Sequence, residues 1–91
     1  MAVRRRVIVN GQVQGVGFRV FVARAAQSRG VSGWVRNRWD GTVEVVLEGE
    51  PEPVESIVRA CREGPRGASV RRIETFVEQP EGLLGFELRE C

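Results

Sequence analysis

The chain has 91 residues, of which 42% are hydrophobic and 29% are charged, and its formal net charge is +2. These values indicate one globular domain over residues 1–91 and exclude a disordered chain. No apolar run approaches the roughly 20 residues of a membrane-spanning helix, and only three apolar residues follow the N-terminal arginines, too few for a secretory signal. We therefore expect a cytoplasmic protein, and we expect it to be a monomer.

The residue types that the chain lacks narrow its chemistry further. All 14 basic residues are Arg, the chain has no Lys, His or Tyr, and its only Asp is Asp40. Without Lys or His there is no Walker-type phosphate loop, Schiff base, His-activated nucleophile or imidazole metal ligand. Any catalysis must then depend on Arg, amides, backbone groups, Cys or Glu, and we expect neither a metal nor a cofactor.

The first part of the chain predicts a strand, a helix and a second strand. Residues 4–13 are rich in Val and Ile, as strands are. From Phe18 the apolar residues follow the spacing of an amphipathic helix, which Gly30 ends. A second strand over 31–38 leads into the dipeptide Asp40-Gly41, which is typical of a hairpin turn.

A third strand is predicted over residues 42–48, where apolar and charged residues alternate. One face of this strand is predicted to be buried, and it consists of Val43, Val45 and Leu47. The other face is predicted to be partly exposed to water, and it consists of Glu44, Val46 and Glu48.

The second part of the chain predicts a helix and two strands. An apolar stripe from Val54 to Cys61 has helical spacing, and Gly64-Pro65 ends the helix. A fourth strand follows over 69–79, and a short fifth strand over 86–89.

The predicted order is β-α-β-β-α-β with a short C-terminal fifth strand. This is the α+β ferredoxin-like sandwich, in which two helices cover one face of a mostly antiparallel sheet. In a β-α-β unit the two strands run parallel, so their carboxyl ends lie at the same edge of the sheet. The loop after the first strand and Asn37, near the end of the second, should therefore lie close together.

The loop between the first strand and the first helix is rich in glycine and reads Gly11-Gln12-Val13-Gln14-Gly15-Val16-Gly17-Phe18-Arg19. Such a turn points several backbone N–H groups at one spot, where the helix dipole favours negative charge. Arg19 would lie in the first helical turn, where a cation is unfavourable unless an anion binds beside it. The pattern alone leaves two interpretations open: a phosphate site, or a tight turn with Arg19 in solvent.

Asn37 is the second candidate site residue. An Asn beside a hairpin turn commonly bonds local backbone or takes a left-handed conformation, so Asn37 alone favours a structural role. Its expected position facing the glycine loop strengthens the case for a functional one.

Cys61 is expected to be a structural residue and not a catalytic one. The segment 61–67 departs from the cysteine phosphatase loop because Gly67 stands where that loop has arginine, and Cys61 completes an apolar stripe. We therefore expect an inert core thiol.

Trp34 and Trp39 flank two arginines and could stack on bases, but the third strand lacks the aromatic residues of ferredoxin-like RNA readers. Nucleic-acid binding is thus disfavoured; the expected alternative places Trp34 against the sheet and Trp39 partly exposed in the turn.

Two stretches, residues 11–19 and residues 33–43 (GWVRNRWDGTV), closely resemble the two signatures of the acylphosphatase family. The chain length and the order of elements agree with this resemblance. It implies metal-independent hydrolysis of a small-molecule acyl phosphate to a carboxylate and inorganic phosphate. It also implies that the phosphoryl group, or inorganic phosphate or a similar anion, is held by Arg19 and by the backbone of Gln14, Gly15, Val16, Gly17 and Phe18. By the same resemblance the Asn37 side chain orients the attacking water. Trp39 lies at a turn position whose residue we take to be variable, and we assign it no role.

A different class of function stays open beside this one. The alternative is a non-catalytic phosphate or carbamoyl-phosphate binding module, like the acylphosphatase-like domains fused to larger carbamoyl-transferring maturation proteins. No partner domain follows in the sequence up to Cys91, which makes this alternative the less favoured expectation.

Overall fold

The computed structural model describes residues 1–90 and contains the predicted elements in the predicted order. They are β1 (Val3–Gln12), α1 (Phe18–Ser28), β2 (Ser32–Asn37), β3 (Val43–Gly49), α2 (Pro51–Glu63), β4 (Ser69–Glu78) and β5 (Phe86–Arg89). Each predicted strand differs from the observed one by at most one residue at either end. Among residues 1–90, neither helix is long and apolar enough to cross a membrane.

The strands form one sheet in the order β4-β1-β3-β2-β5. All neighbouring pairs are antiparallel except β2 and β5, which run parallel. Since β3 is antiparallel to both β1 and β2, these two strands run in the same direction with β3 between them. Both helices pack on one face of the sheet, so the predicted ferredoxin-like fold is confirmed.

The core lies between this face of the sheet and the two helices. Its fully buried side chains include Val7 and Val9 of β1, Phe18 of α1 and Ile57 of α2. Cys61 belongs to the same cluster, and burial raises the pKa of its thiol to about 12. The predicted position of Cys61 in the core is confirmed, and the raised pKa disfavours the thiolate, which is the reactive form of cysteine.

The prediction that the second face of β3 is partly exposed to water is wrong. Glu44, Val46 and Glu48 are only 4%, 0% and 5% exposed. β3 is the central strand, and arginines from both neighbouring strands cover this face. Arg6 Nη1 and Arg36 Nε donate to the Glu44 carboxylate at 3.1 and 2.7 Å. Burial acts to raise the pKa of Glu44, but the hydrogen bonds and charges of these two arginines outweigh burial and hold it below its usual value.

Glu48 ties the connection between β4 and β5 to the central strand. Its carboxylate accepts a hydrogen bond from Arg4 Nη1 at 2.8 Å and three from the backbone N–H groups of Glu81, Gly82 and Leu83. Burial acts to raise the pKa of this carboxyl, but the backbone and Arg4 hydrogen bonds more than compensate, so the pKa is lowered. The charged form of Glu48 therefore contributes to the stability of the fold.

The substitution Glu48→Gln is expected to lower the free energy of unfolding by about 2 kcal/mol at neutral pH, because an amide NH₂ would face donors and Arg4 would lose a buried anionic partner. A lowered folded-state pKa means that the contribution is complete above the unfolded-state pKa, near 4.5, and disappears as the pH falls below it. Urea unfolding of both proteins should thus show a difference at pH 7 that shrinks towards about pH 3.

The matched control is Glu74→Gln, because Glu74 is exposed and pairs with no arginine among residues 1–90. This control should change the unfolding free energy by less than about 0.5 kcal/mol. A Glu48→Gln difference that stays constant across the pH range would contradict the assignment.

Candidate active site

The loop that joins β1 to α1 and the carboxyl end of β2 lie at the same edge of the sheet. Between them is a cavity of about 120 Å³, which is lined by Val13, Gly15, Gly17, Phe18, Arg19, Val20, Asn37 and Leu88. Five of the seven predicted site residues line this cavity. The other two, Gln14 and Val16, do not, since the Gln14 side chain turns towards the β2–β3 hairpin and Val16 packs against the core.

The backbone of the loop has an unusual conformation. Gly15 and Gly17 have φ angles of 74° and 79°, in the left-handed region that other residues rarely adopt. A Cβ at either position would meet no atom within 4 Å, so glycine is required here by conformation and not by space. Within residues 1–90, no backbone carbonyl accepts a hydrogen bond from the N–H groups of residues 14–18. These donors are thus free for a ligand.

The N-terminus of α1 is electrostatically unbalanced. Gly17 is the N-cap, no side chain caps the helix, and its first turn has no acidic residue. The first turn of α2, by contrast, contains Glu52. The positive end of the α1 dipole is therefore uncompensated, and Arg19 adds a further positive charge beside it. Free donors and positive charge in one place favour an anion.

The Arg19 side chain is held in place by the last strand. Its Nη1 donates to the carbonyl oxygen of Arg89 at 2.8 Å, so the interpretation with Arg19 extending freely into solvent does not hold. A guanidinium has five N–H donors, so most of them stay available. This contribution of β5 could not be predicted, because a carbonyl contact across 70 residues has no sequence pattern.

Asn37 does not have the structural role that its position in the sequence suggests. It is the last residue of β2, and no residue other than glycine among 1–90 has a positive φ. The turn is instead stabilised by Asp40, whose Oδ1 accepts hydrogen bonds from the Thr42 N–H at 3.0 Å and the Thr42 hydroxyl at 2.6 Å. These bonds hold the pKa of Asp40 below its usual value, with a smaller effect from Arg38. The Asn37 side chain is thus left to line the cavity.

The side chain of Gln14 fastens the glycine loop to the β2–β3 hairpin. Its Nε2 donates to the carbonyl oxygens of Arg38 and Thr42 at 2.8 and 2.9 Å. These carbonyls flank the turn that follows Asn37, so the two hydrogen bonds fix the loop relative to Asn37. The family resemblance gives a role only to the backbone of Gln14, and in the sequence nothing distinguishes the Gln14 side chain from that of the nearby Gln12.

No group of three or more Cys, Asp or Glu side chains in the described part of the chain could hold a metal ion. The polar groups that line the cavity are backbone N–H groups, the guanidinium of Arg19 and the side-chain amide of Asn37. All of them lie at one edge of the split β-α-β sheet, and their chemistry favours a small anion.

Comparison with known proteins identifies the family. The acylphosphatase family model matches residues 5–88. The acylphosphatase of Thermococcus kodakarensis is 51% identical over 86 residues, which cover 94% of each chain. The crystal structure of acylphosphatase from Bacillus subtilis superimposes with a TM-score of 0.92 and 40% identity, over 98% of this chain and 99% of that one. The chain belongs to the acylphosphatase family of enzymes.

A similar domain also occurs within a longer protein. Full-length HypF, solved in a phosphate- and nucleotide-bound form, matches 99% of this chain with a TM-score of 0.87 and 26% identity. The match covers only 12% of HypF. The fold is therefore found both as a protein of about this length and as a small part of a larger one.

Proposed function

We propose that this chain hydrolyses acyl phosphates to a carboxylate and inorganic phosphate without a metal ion, and that the reaction takes place in the cavity between the glycine loop and Asn37. One observation carries the proposal: the uncapped N-terminus of α1, the Arg19 guanidinium and the Asn37 amide all line the same small cavity.

The phosphoryl group binds to the loop. Its oxygens accept hydrogen bonds from the free N–H groups of residues 14–18, at the positive end of α1. The planar guanidinium of Arg19 can bind two of these oxygens at once, and its tether to the Arg89 carbonyl limits the conformations lost on binding. Because these groups are in place beforehand, they stabilise the charge that develops in the transition state.

Asn37 orients the water. Its amide oxygen accepts a hydrogen bond from the water, which points a lone pair of the water at phosphorus. No side chain that lines the cavity is a carboxylate or a thiol. The proton of the water therefore passes to a phosphoryl oxygen.

The leaving group explains why so few catalytic groups suffice. A carboxylic acid has a pKa near 4, so the carboxylate leaves without being protonated and no general acid is needed. What the enzyme must supply is position and positive charge, which amides and one arginine provide.

The proposal is tested by phosphate release from acetyl phosphate in excess EDTA. We expect turnover of at least about 1 per second, within the range of ordinary enzymes, and no loss of rate on adding the chelator. Release no faster than spontaneous hydrolysis would contradict it. The similarity to part of HypF is the observation behind a second, less favoured candidate, a non-catalytic binding module. Calorimetry would support that candidate by showing saturable phosphate or carbamoyl-phosphate binding without hydrolysis.

The substitution Gln14→Ala is expected to lower kcat/KM for acetyl phosphate about tenfold and the free energy of unfolding by about 1 to 2 kcal/mol, because two hydrogen bonds to the hairpin are lost. Steady-state kinetics and urea unfolding measure the two effects. Gln12→Ala is the matched control, since Gln12 is exposed at the end of β1, and it should change neither quantity. Equal behaviour of the two variants would show that the Gln14 tether has no effect on the site.

A further inference from the structure

The net positive charge of the chain comes from one segment around the end of α2 and the start of β4. Residues 59–74 contain five arginines and two glutamates, which leaves nine arginines and ten acidic residues in the remainder. Six of those nine arginines form ion pairs with carboxylates, as Arg4 does with Glu48. Within residues 1–90, none of the five arginines of the segment 59–74 forms an ion pair. The protein therefore leaves their positive charge uncompensated.

A β-bulge turns two consecutive arginines of β4 away from the core. The register of β1 and β4 shifts after Asn10, which leaves Arg71 as an extra residue with no partner on β1. The bulge interrupts the alternation of the strand, because Val70 and Ile73 both pack against the core although they are three residues apart. Arg71 and Arg72 lie between them, and both are exposed.

The end of α2 brings a third arginine to the same place. A cavity of about 160 Å³ is lined by Arg62, Val70, Arg71, Arg72 and Ile73, and no carboxylate of residues 1–90 lines it. Arg62 lies in the last turn of α2, where the helix dipole favours a cation, but Arg71 and Arg72 have no such compensation. Three guanidinium groups around one cavity repel one another unless an anion binds between them.

We propose that this cavity is a second anion site, which binds a small molecule that bears two or more phosphoryl groups. Each guanidinium can bind two phosphate oxygens in a planar fork, and three of them suit a ligand with several negative charges. The cavity is larger than the 120 Å³ cavity beside Arg19, which leaves room for a second phosphoryl group. The two cavities share no lining residue, so the inference does not depend on the proposed function.

The test is amide NMR of the ¹⁵N-labelled protein, titrated with inorganic pyrophosphate at low salt. We expect saturable shifts in the backbone N–H signals of residues 70–73, with a dissociation constant on the order of 1 mM. The same shifts should occur in Arg19→Ala, because Arg19 does not line this cavity. The double variant Arg71→Gln with Arg72→Gln should raise the dissociation constant at least about tenfold, since two charge-assisted contacts are lost.

The matched control is the double variant Arg24→Gln with Arg29→Gln, which removes the same charge from two exposed arginines that also lack an ion pair in the part of the chain up to residue 90. It should change the dissociation constant by less than about twofold. Equal weakening in the two double variants would overturn the inference, because it would show attraction to net charge without a site. Shifts that do not saturate would overturn it too, and so would shifts with single-stranded RNA but none with pyrophosphate.

Discussion

Replacing Arg19 with Ala is expected to lower kcat/KM for acetyl phosphate by about 10³-fold, the upper range for loss of one preorganised group at a developing charge. Arg19 lines the small cavity and is the one cationic side chain there. The conservative variant Arg19→Lys keeps the charge but loses the planar fork, so we expect it to recover only part of the activity. Inhibition by inorganic phosphate should weaken in parallel, since the same group binds the product.

The substitution Arg19→Ala should change stability very little, in contrast to its large effect on activity. A cation in the first turn of α1 opposes the helix dipole, and Ala is the best helix former, so these gains offset the lost bond to the Arg89 carbonyl. We expect the unfolding free energy to change by less than about 0.5 kcal/mol. Arg24→Ala, on the exposed side of the same helix, should affect neither activity nor stability. An Arg19→Ala enzyme within tenfold of wild type would contradict the role of Arg19.

Replacing Asn37 with Ala is expected to lower kcat for acetyl phosphate by about 10²-fold to 10³-fold with little change in KM. The reason is that Asn37 acts on the water, whereas the loop and Arg19 hold the phosphoryl group. Asn37→Asp has nearly the same shape but places a negative charge beside the phosphoryl oxygens, so KM should also rise. Ser32→Ala, at the other end of β2, is the control. A raised KM with unchanged kcat in Asn37→Ala would instead make Asn37 a phosphoryl-binding residue.

The fold could be predicted because its signals are local. The apolar spacing from Phe18 onward, the glycines that end the helices and the Asp40-Gly41 turn each specify their own segment. The parallel direction of β1 and β2 then follows from the β-α-β connection, and with it the proximity of the glycine loop and Asn37.

Features that depend on distant residues could not be predicted. Gly11 belongs to the same glycine-rich motif as Gly15, yet a Cβ on Gly11 would lie 2.1 Å from the Ser69 carbonyl oxygen. It therefore allows β1 to approach β4 and does not form the cavity. The Gln14 tether and the Arg89 carbonyl beside Arg19 likewise depend on contacts between remote segments.

The buried charges of β3 show a second limit of structure prediction from the sequence. Alternation along a strand shows which side chains face the core, but it does not show what covers the opposite face. Here long arginine side chains cover Glu44, and the connection before β5 covers Glu48. A charge on the outer face of a central strand is thus no guarantee of exposure when neighbouring strands carry partners of opposite sign.

In the proposed function a phosphoryl group binds to the glycine loop between α1 and Asn37. Titration of the ¹⁵N-labelled protein with inorganic phosphate, followed by amide NMR, tests it most directly. We expect saturable shifts in the backbone N–H signals of residues 15–18 and in the Asn37 side-chain amide, all much weakened in Arg19→Ala. The first turn of α2 is the internal control and should not shift. Phosphate that inhibits the enzyme but leaves the signals of residues 15–18 unchanged would contradict the claim.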